Sequence, residues 1–185
     1  MTDRQRPFRP EELEADQRAL YDAIAGGPRA RGPQHFALTR EDGSLRGPFN
    51  ALLLAPALGS ALQAVGAAIR YEGALSARAR EMAILLVATH WDSAFEREAH
   101  EAVGIAVGLT HEEIVALRDG ETSVFVGSES VVARTVAELL LGDLDDETWT
   151  EASDALGSAA IFELTTLVGY YSTLALQLRV FRVGG

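Results

Sequence analysis

The sequence predicts an all-α fold, and three observations support that prediction. Apolar residues recur at spacings of three and four, as between residues 57 and 71, which is typical of a helix with one buried face. Capping residues and glycines separate such stretches, so that Ser76 precedes one and Gly108 follows another. Strict apolar–polar alternation is rare, and residues 123–126 form the only short candidate for a strand.

Caps and breakers predict the boundaries of the helices. The predicted segments are 10–25, 49–54, 57–71, 76–90, 93–108, 110–120, 129–141, 146–156 and 159–180. Ser93–Glu96 and Thr110–Glu113 both fit the capping box, in which a hydroxyl and a carboxylate exchange hydrogen bonds with backbone N–H groups. Residues 26–48 contain five glycines, three prolines and four arginines, and are interpreted either as a solvated connector or as a substrate-facing lid.

A chain of 185 residues is most simply one domain with its own core. Within it we expect an N-terminal helix and loop over 1–48, a central unit over 49–120 and C-terminal helices over 121–185. Residues 81–87 and 163–169 can be aligned, each starting with a glutamate before an apolar run. The C-terminal helices are therefore a candidate degenerate repeat of the central unit.

Charge and cysteine content exclude several classes of function. The 27 acidic and 16 basic residues give a net charge of -11, which disfavours nucleic acid and anionic membranes as partners. The chain has no cysteine, which excludes disulfides, thiolate metal sites and thiol redox chemistry within it.

The apolar segments predict neither a signal peptide nor a membrane span. Residues 1–17 are charged and lack an apolar stretch, so a cytoplasmic location is expected. Residues 159–178 are long enough to cross a bilayer, but Glu163 interrupts them and Arg179 follows them. We therefore expect a helix that is buried in the core or at a subunit interface.

Residues 80–109 contain a cluster of side chains suited to acid–base chemistry. Glu96 and His100 are four residues apart, so they share one face of a helix. If the two helices pack as an antiparallel hairpin about residues 91–93, Glu81 faces that pair from the preceding helix. Burying carboxylates and an imidazole among apolar residues is costly, which indicates a functional site.

The motifs in this region resemble the carboxymuconolactone decarboxylase family, which includes the AhpD-like alkylhydroperoxidases. They are Leu-Ser-x-Arg-x-Arg-Glu at 75–81, an acid and a histidine at Glu96 and His100, and Gly-Leu-Thr-x-Glu-Glu-Ile at 108–114. The resemblance covers roughly residues 47–180, with flanking matches at 47–53 and 167–171. It implies an AhpD-like helical domain with a core antiparallel hairpin, assembled into homo-oligomers such as trimers or hexamers.

The resemblance also implies which branch of the family this chain follows. The peroxidase branch uses a glutamate, a Cys-x-x-Cys pair and a histidine, and these positions fall on Glu81, Ser93, Glu96 and His100. Neither serine nor glutamate can form a disulfide, so dithiol peroxide reduction is excluded. The remaining residues suit proton transfer, as a decarboxylase-like lyase without cofactor needs.

The resulting hypothesis assigns His100 as the general acid/base, Glu96 as its partner or a second proton carrier, and Glu81 as the residue that orients them. Arg46 would receive a substrate carboxylate. Ser93 and Trp91 are the other predicted substrate-binding residues. The substrate would be a small oxygenated acid, a lactone or keto acid, and no metal ligand set is predicted because no third ligand accompanies Glu96 and His100.

Plainer interpretations stand beside this hypothesis. Ser93 and Glu96 fit a cap, Glu81 could pair with an arginine, and His100 could be a satisfied core histidine. The alternative function is a non-catalytic, oligomeric helical protein with a binding pocket. A further alternative, an alkylhydroperoxidase-like antioxidant protein, would lack a redox-active group.

Overall fold

The computed structural model describes residues 4–31 and 35–182, and over these residues it contains nine α-helices and no strand. They are α1 (Ala15–Ala25), α2 (Pro48–Leu52), α3 (Pro56–Tyr71), α4 (Ala77–His90), α5 (Ala94–Ala106), α6 (His111–Arg118), α7 (Ser128–Leu139), α8 (Asp146–Ala155) and α9 (Ser158–Phe181). The predicted all-α fold is confirmed. Residues 123–126, the one candidate strand, form no strand.

Helix α4 is the centre of the molecule, since α5, α6, α7 and α9 all pack against it. Its residues 81–88 are all buried, and Met82, Ala83 and Val87 are completely inaccessible to solvent. A helix surrounded on most sides is apolar on most sides, which is why this stretch has little amphipathic character. The glutamate at its start is therefore placed deep within the protein.

Helices α4 and α5 form the predicted antiparallel hairpin. Only residues 91–93 join them, and the Ser93 N–H donates to the Ala88 carbonyl at 2.8 Å beside that turn. Farther from the turn, Glu81 of α4 lies against His100 of α5. The start of α4 thus lies beside the second half of α5, as an antiparallel pair of helices requires.

Helix α9 is the one helix of the described residues whose length and composition would suffice to cross a membrane. Half of its most apolar 18-residue window is buried inside the protein. Leu164 and Leu167 are fully buried in the main core, where they join residues of α4 and α7. The helix thus contributes to the core, as the sequence predicts.

Local capping explains which predicted boundaries hold. Ser76 Oγ accepts the Ala79 N–H at 3.1 Å, and Thr110 forms the predicted capping box with Glu113. The first helix is different from the prediction, because Pro10–Glu12 form only a 3-10 turn. Helix α1 begins only at Ala15, after a capping box between Glu14 and Gln17 that the sequence analysis did not predict.

The N-terminal part covers the side of the molecule where the hairpin glutamate and histidine meet. Leu20 and Ile24 of α1 pack with Leu45, Phe49 and other apolar residues in a second core cluster. Helix α1 contacts α3, and α2 contacts both α3 and α9. The described residues between α1 and α2 therefore run over the core helices, and Arg29 and Phe36 among them line a cavity beside the hairpin.

Candidate acid–base site

Glu81 and His100 form a buried hydrogen-bonded pair between α4 and α5. His100 Nδ1 lies 2.6 Å from Glu81 Oε2, and the two side chains are 9% and 1% exposed. Burying such a pair is favourable only when each partner satisfies the other at short range, which this geometry provides. The sequence prediction that these two residues meet is confirmed.

The charge state of Glu81 follows from its neighbours. Burial on its own would raise the pKa of Glu81, but the charge and hydrogen bond of His100 outweigh it and lower the pKa. The positive charges of Arg70 and Arg80 act in the same direction. Glu81 is therefore an ionised acceptor, and this fixes His100 with Nδ1–H as the donor to it.

Glu96 is the opposite case, although it lies only one helical turn from His100. The residue is 2% exposed, and neither carboxyl oxygen has a hydrogen-bond partner of normal geometry in the described residues. Burial raises the pKa of Glu96 to about 8, and the nearby Ser93 side chain opposes the shift only in part. At neutral pH this side chain is mainly a neutral carboxylic acid.

The predicted capping box at Ser93 is wrong. Ser93 is the N-cap residue of α5, but its side chain makes no capping hydrogen bond. The Glu96 carboxyl makes no hydrogen bond to a backbone N–H either, and it lines a cavity instead. The sequence pattern is that of a helix cap, but in the folded protein the Glu96 carboxyl faces the cavity.

A small cavity lies against Glu96 and His100. Its volume is about 20 Å³, which is enough for roughly one water-sized group. The lining comes from the N-terminal segment, α2, α3, α5 and α9: Arg29, Phe36, Pro48, Phe49, Arg70, Phe95, Glu96, Ala99, His100, Tyr170, Tyr171 and Leu174. We call this cavity the chamber. Glu81 is not part of the lining and holds His100 from behind.

Aromatic rings from α9 complete the chamber. The Tyr171 ring meets the His100 imidazole edge to face, with 5.2 Å between centroids, and Tyr170 meets Tyr171 in the same way at 5.1 Å. Burial raises the pKa of both phenols above its ordinary value. The tyrosines are therefore neutral, and their rings keep the imidazole in an apolar setting.

The three predicted substrate-binding residues, Arg46, Ser93 and Trp91, all lie outside the chamber lining. Arg46 Nη2 is 3.6 Å from Glu98 Oε1, and its guanidinium lies over the Phe95 ring at 5.9 Å. Trp91 stands at the end of α4, where the Arg179 guanidinium covers its ring at 5.8 Å. The structure does not bring Arg46 and Trp91 to Glu96 and His100.

Two other arginines, Arg29 and Arg70, line the chamber instead. Sequence reasoning missed both of them as site residues. Arg70 is the only charged residue in α3, but a cation in the last turn of a helix is favoured by the helix dipole, so the sequence gives no signal for a site.

The hairpin lies within a segment that matches a known protein family. Residues 56–139 match the model of the carboxymuconolactone decarboxylase family, and the match contains Glu81, Ser93, Glu96 and His100. This segment of the chain is similar to the carboxymuconolactone decarboxylase family. The absence of cysteine fits the branch of the family that lacks the Cys-x-x-Cys pair. No curated protein matches the chain at a significant level.

The titratable groups of the site are not arranged as a metal centre. Within residues 4–31 and 35–182, no group of three or more histidines, aspartates or glutamates is placed to hold a metal ion. The site contains one ionised carboxylate, one imidazole and one protonated carboxyl within two adjoining helices.

Proposed function

We propose that this protein is a carboxymuconolactone decarboxylase-like enzyme that acts without cofactor on a small oxygenated acid, a lactone or keto acid. The observation that supports this proposal is the opposite shift of two carboxyl pKa values around one imidazole. The pKa of Glu81 is lowered, so its carboxyl is ionised, whereas the pKa of Glu96 is raised to about 8, so its carboxyl is mainly protonated at neutral pH. Pairs of titratable groups shifted apart in this way supply an acid and a base at the same pH.

In the proposed reaction, Glu96 is the proton donor. As the bond between the substrate carbon and its carboxylate breaks, carbon dioxide leaves and the bonding electron pair remains on the carbon, conjugated with the substrate carbonyl. The Glu96 carboxyl then transfers its proton to that carbon, and a proton from water restores it. The sum is one carboxylate and one proton converted to carbon dioxide and a C–H bond.

His100 has a complementary role in this proposal. Its Nδ1 is engaged by Glu81, and no other side-chain hydrogen bond joins the imidazole to a described residue. When His100 is neutral, its free Nε2 would take a proton from substrate carbon if the reaction is an isomerisation. Glu81 would act as a positioning residue, since its carboxylate holds the ring and stabilises the imidazolium.

We also propose that the protein works as a homo-oligomer in the cytoplasm, a trimer or hexamer, as the family resemblance implies. Leu141 and Phe162, which are 85% and 76% exposed, are candidate contacts in such an assembly. Size-exclusion chromatography with light scattering would test this. A monomer at micromolar concentration would contradict the oligomer, but it would leave the acid–base proposal intact.

The function is tested by screening lactone and keto acids for carbon dioxide release, with products followed by NMR. We expect Glu96→Gln and His100→Gln to reduce turnover by at least about 100-fold. Glu98→Gln is a matched control, because this residue of the same helix is exposed and does not line the chamber. Circular dichroism would show that each variant is folded.

Two results would contradict the proposal. Equal turnover by the wild type and both variants would exclude an acid–base role for this site. Saturable binding of such acids without any turnover would favour the non-catalytic alternative, a helical protein that keeps only the pocket.

A further inference from the structure

A second, larger concavity adjoins the chamber. Its volume is about 120 Å³, and it shares Arg29, Phe36 and Arg70 with the chamber lining. The rest of its lining comes from the segment after α1, the end of α3 and one residue of α5: Arg31, His35, Leu38, Tyr71 and Val103. We call this concavity the vestibule.

The vestibule is positively charged in a protein that is strongly acidic. Three of its eight lining residues are arginines, and none is an aspartate or glutamate. The chain as a whole has 27 acidic residues against 16 basic ones. Arginines drawn together without a carboxylate repel one another, so such a lining is stable only at a cost that a bound anion would remove.

Arginines elsewhere on the surface form ion pairs with acidic residues. Arg118 pairs with Glu101, and Arg134 Nη1 lies 2.8 Å from Glu151 Oε2. In contrast, Arg31 and Arg70 form no ion pair with an acidic residue of the described segments 4–31 and 35–182. The two guanidinium groups therefore remain available to an anionic ligand.

One of the arginines, Arg29, is held in position by its surroundings. Arg29 Nε donates to Gln63 Oε1 at 3.2 Å, and its guanidinium lies 5.3 Å from the centroid of the Phe49 ring. Arg70 is half-buried at the end of α3, and its charge is felt by Glu81. The vestibule is thus both partly preorganised and electrostatically connected to the acid–base site.

A single ligand would occupy both the chamber and the vestibule. The chamber admits about one small group beside Glu96 and His100, so the remainder of any substrate must extend past Arg29 and Arg70. The larger vestibule has room for a group of several heavy atoms. A charged end of the ligand would therefore lie among the arginines.

We propose that the vestibule, through Arg29, Arg31, His35 and Arg70, binds a doubly charged oxyanion, either a phosphate ester or a pair of carboxylates. Three guanidinium groups carry more positive charge than one carboxylate neutralises, and their forked donors match such oxygens. That this anion is the far end of a substrate reacting in the chamber rests on the proposed function. The binding of the anion itself does not.

The test uses inorganic phosphate, malonate and acetate as probes of the full chain. Arginine side-chain N–H signals would be followed by NMR titration at constant ionic strength. We expect saturable binding of phosphate or malonate at millimolar concentration or below, with acetate at least tenfold weaker. Tighter phosphate binding would indicate a phosphate ester as the natural group, whereas tighter malonate binding would indicate a dicarboxylate.

Variants decide whether the vestibule is the site. Arg70→Gln should weaken the preferred anion at least tenfold, and Arg31→Gln, which changes an exposed side chain, should weaken it severalfold. Arg134→Gln is the matched control and should bind as the wild type does. The proposal is overturned if neither dianion saturates, if acetate binds equally well, or if both vestibule variants bind normally.

The same titration separates this proposal from the proposed function. His100→Gln should keep full anion binding, because its imidazole lines the chamber and not the vestibule. Anion binding with no turnover of any acid would leave the vestibule standing and remove the enzymatic proposal. Turnover of acids without binding of either dianion would support the enzymatic proposal and overturn the proposed anion site in the vestibule.

Discussion

His100 Nδ1 and Glu81 Oε2 lie 2.6 Å apart, and this one hydrogen bond connects α5 to α4 inside the protein. The bond holds the imidazole in a single orientation, and it keeps a fully buried carboxylate ionised. Because Glu96 lies on the same helix face without a partner, the site has two carboxyls in opposite charge states. The two carboxyl groups are therefore expected to contribute differently to the stability of the protein.

Removing the Glu81 carboxylate should destabilise the protein strongly. Glu81→Ala leaves the imidazole buried without its acceptor and is expected to cost about 3 kcal/mol in free energy of unfolding. Glu81→Gln keeps the shape and one acceptor oxygen, so roughly half that loss is expected. Urea denaturation of both variants measures these values.

An exposed ion pair provides the control for Glu81. The side chains of Arg134 and Glu151 are 49% and 39% exposed, so Glu151→Ala should cost less than about 1 kcal/mol. If Glu81→Ala had as small an effect as Glu151→Ala, the buried hydrogen bond would not be a stabilising contact.

Glu96 should make the folded protein less stable as the pH rises. Its pKa is about 8 in the folded state against 4.5 for the free side chain, so between these values the folded state binds more protons. Stability therefore falls across this window, by about 1.4 kcal/mol per pH unit at most. Glu96→Gln cannot ionise and should lose this dependence.

The measurement for Glu96 is urea denaturation of the wild type and Glu96→Gln at pH 5, 7 and 9. The variant should match the wild type near pH 5 and exceed it by a few kcal/mol at pH 9. All other groups titrate in both proteins, so the difference isolates Glu96. A difference that stays constant with pH would mean that the carboxyl has an ordinary pKa.

Arg78 should act as a clamp between helices. Its Nε donates to Glu129 Oε1 at 2.7 Å, and the same guanidinium also contacts Glu113 and the Gly108 carbonyl. Arg78→Ala would break all of these partly buried contacts between α4 and the regions of α6 and α7, at an expected cost of about 2–3 kcal/mol.

The control for the clamp is Arg118→Ala, which removes a single pairing from a side chain that is 53% exposed. It should cost less than about 1 kcal/mol. Thermal and urea unfolding of both variants would be compared. Similar losses for the two would show that Arg78 is an ordinary surface arginine.

Gly66 should be required for the packing of the chamber wall. A Cβ at this position would lie 2.2 Å from Tyr170 Oη and 2.8 Å from Arg29 Nη2. Gly66→Ala must displace these groups, which we expect to cost about 1–3 kcal/mol despite the higher helix propensity of alanine. The loss would be read from urea denaturation.

Gly169 is the matched control for Gly66, since it also lies in a helix, but a Cβ there meets nothing within 4 Å. Gly169→Ala should therefore stabilise the protein by up to about 1 kcal/mol. If Gly66→Ala were stabilising by the same amount, the close approach of Tyr170 and Arg29 would not exist in solution.

The candidate site was predictable from the sequence only in part. Glu96 and His100 could be placed on one helix face by their spacing, and Glu81 could be brought to them by a hairpin whose connection is only three residues long. The arginines that line the chamber could not be chosen in this way. Whether Arg46 or Arg70 faces the chamber depends on how the segment before α2 packs over α3, which no local periodicity encodes.

The sequence by itself determined the helices, the hairpin and the absence of thiol chemistry, because helix hydrogen bonds and caps join residues only a few positions apart. Only the tertiary structure decided that Glu96 is a protonated acid and not a helix cap. The reason is desolvation: the pKa of a carboxyl depends on every group packed around it, and those around Glu96 come from five separate parts of the chain.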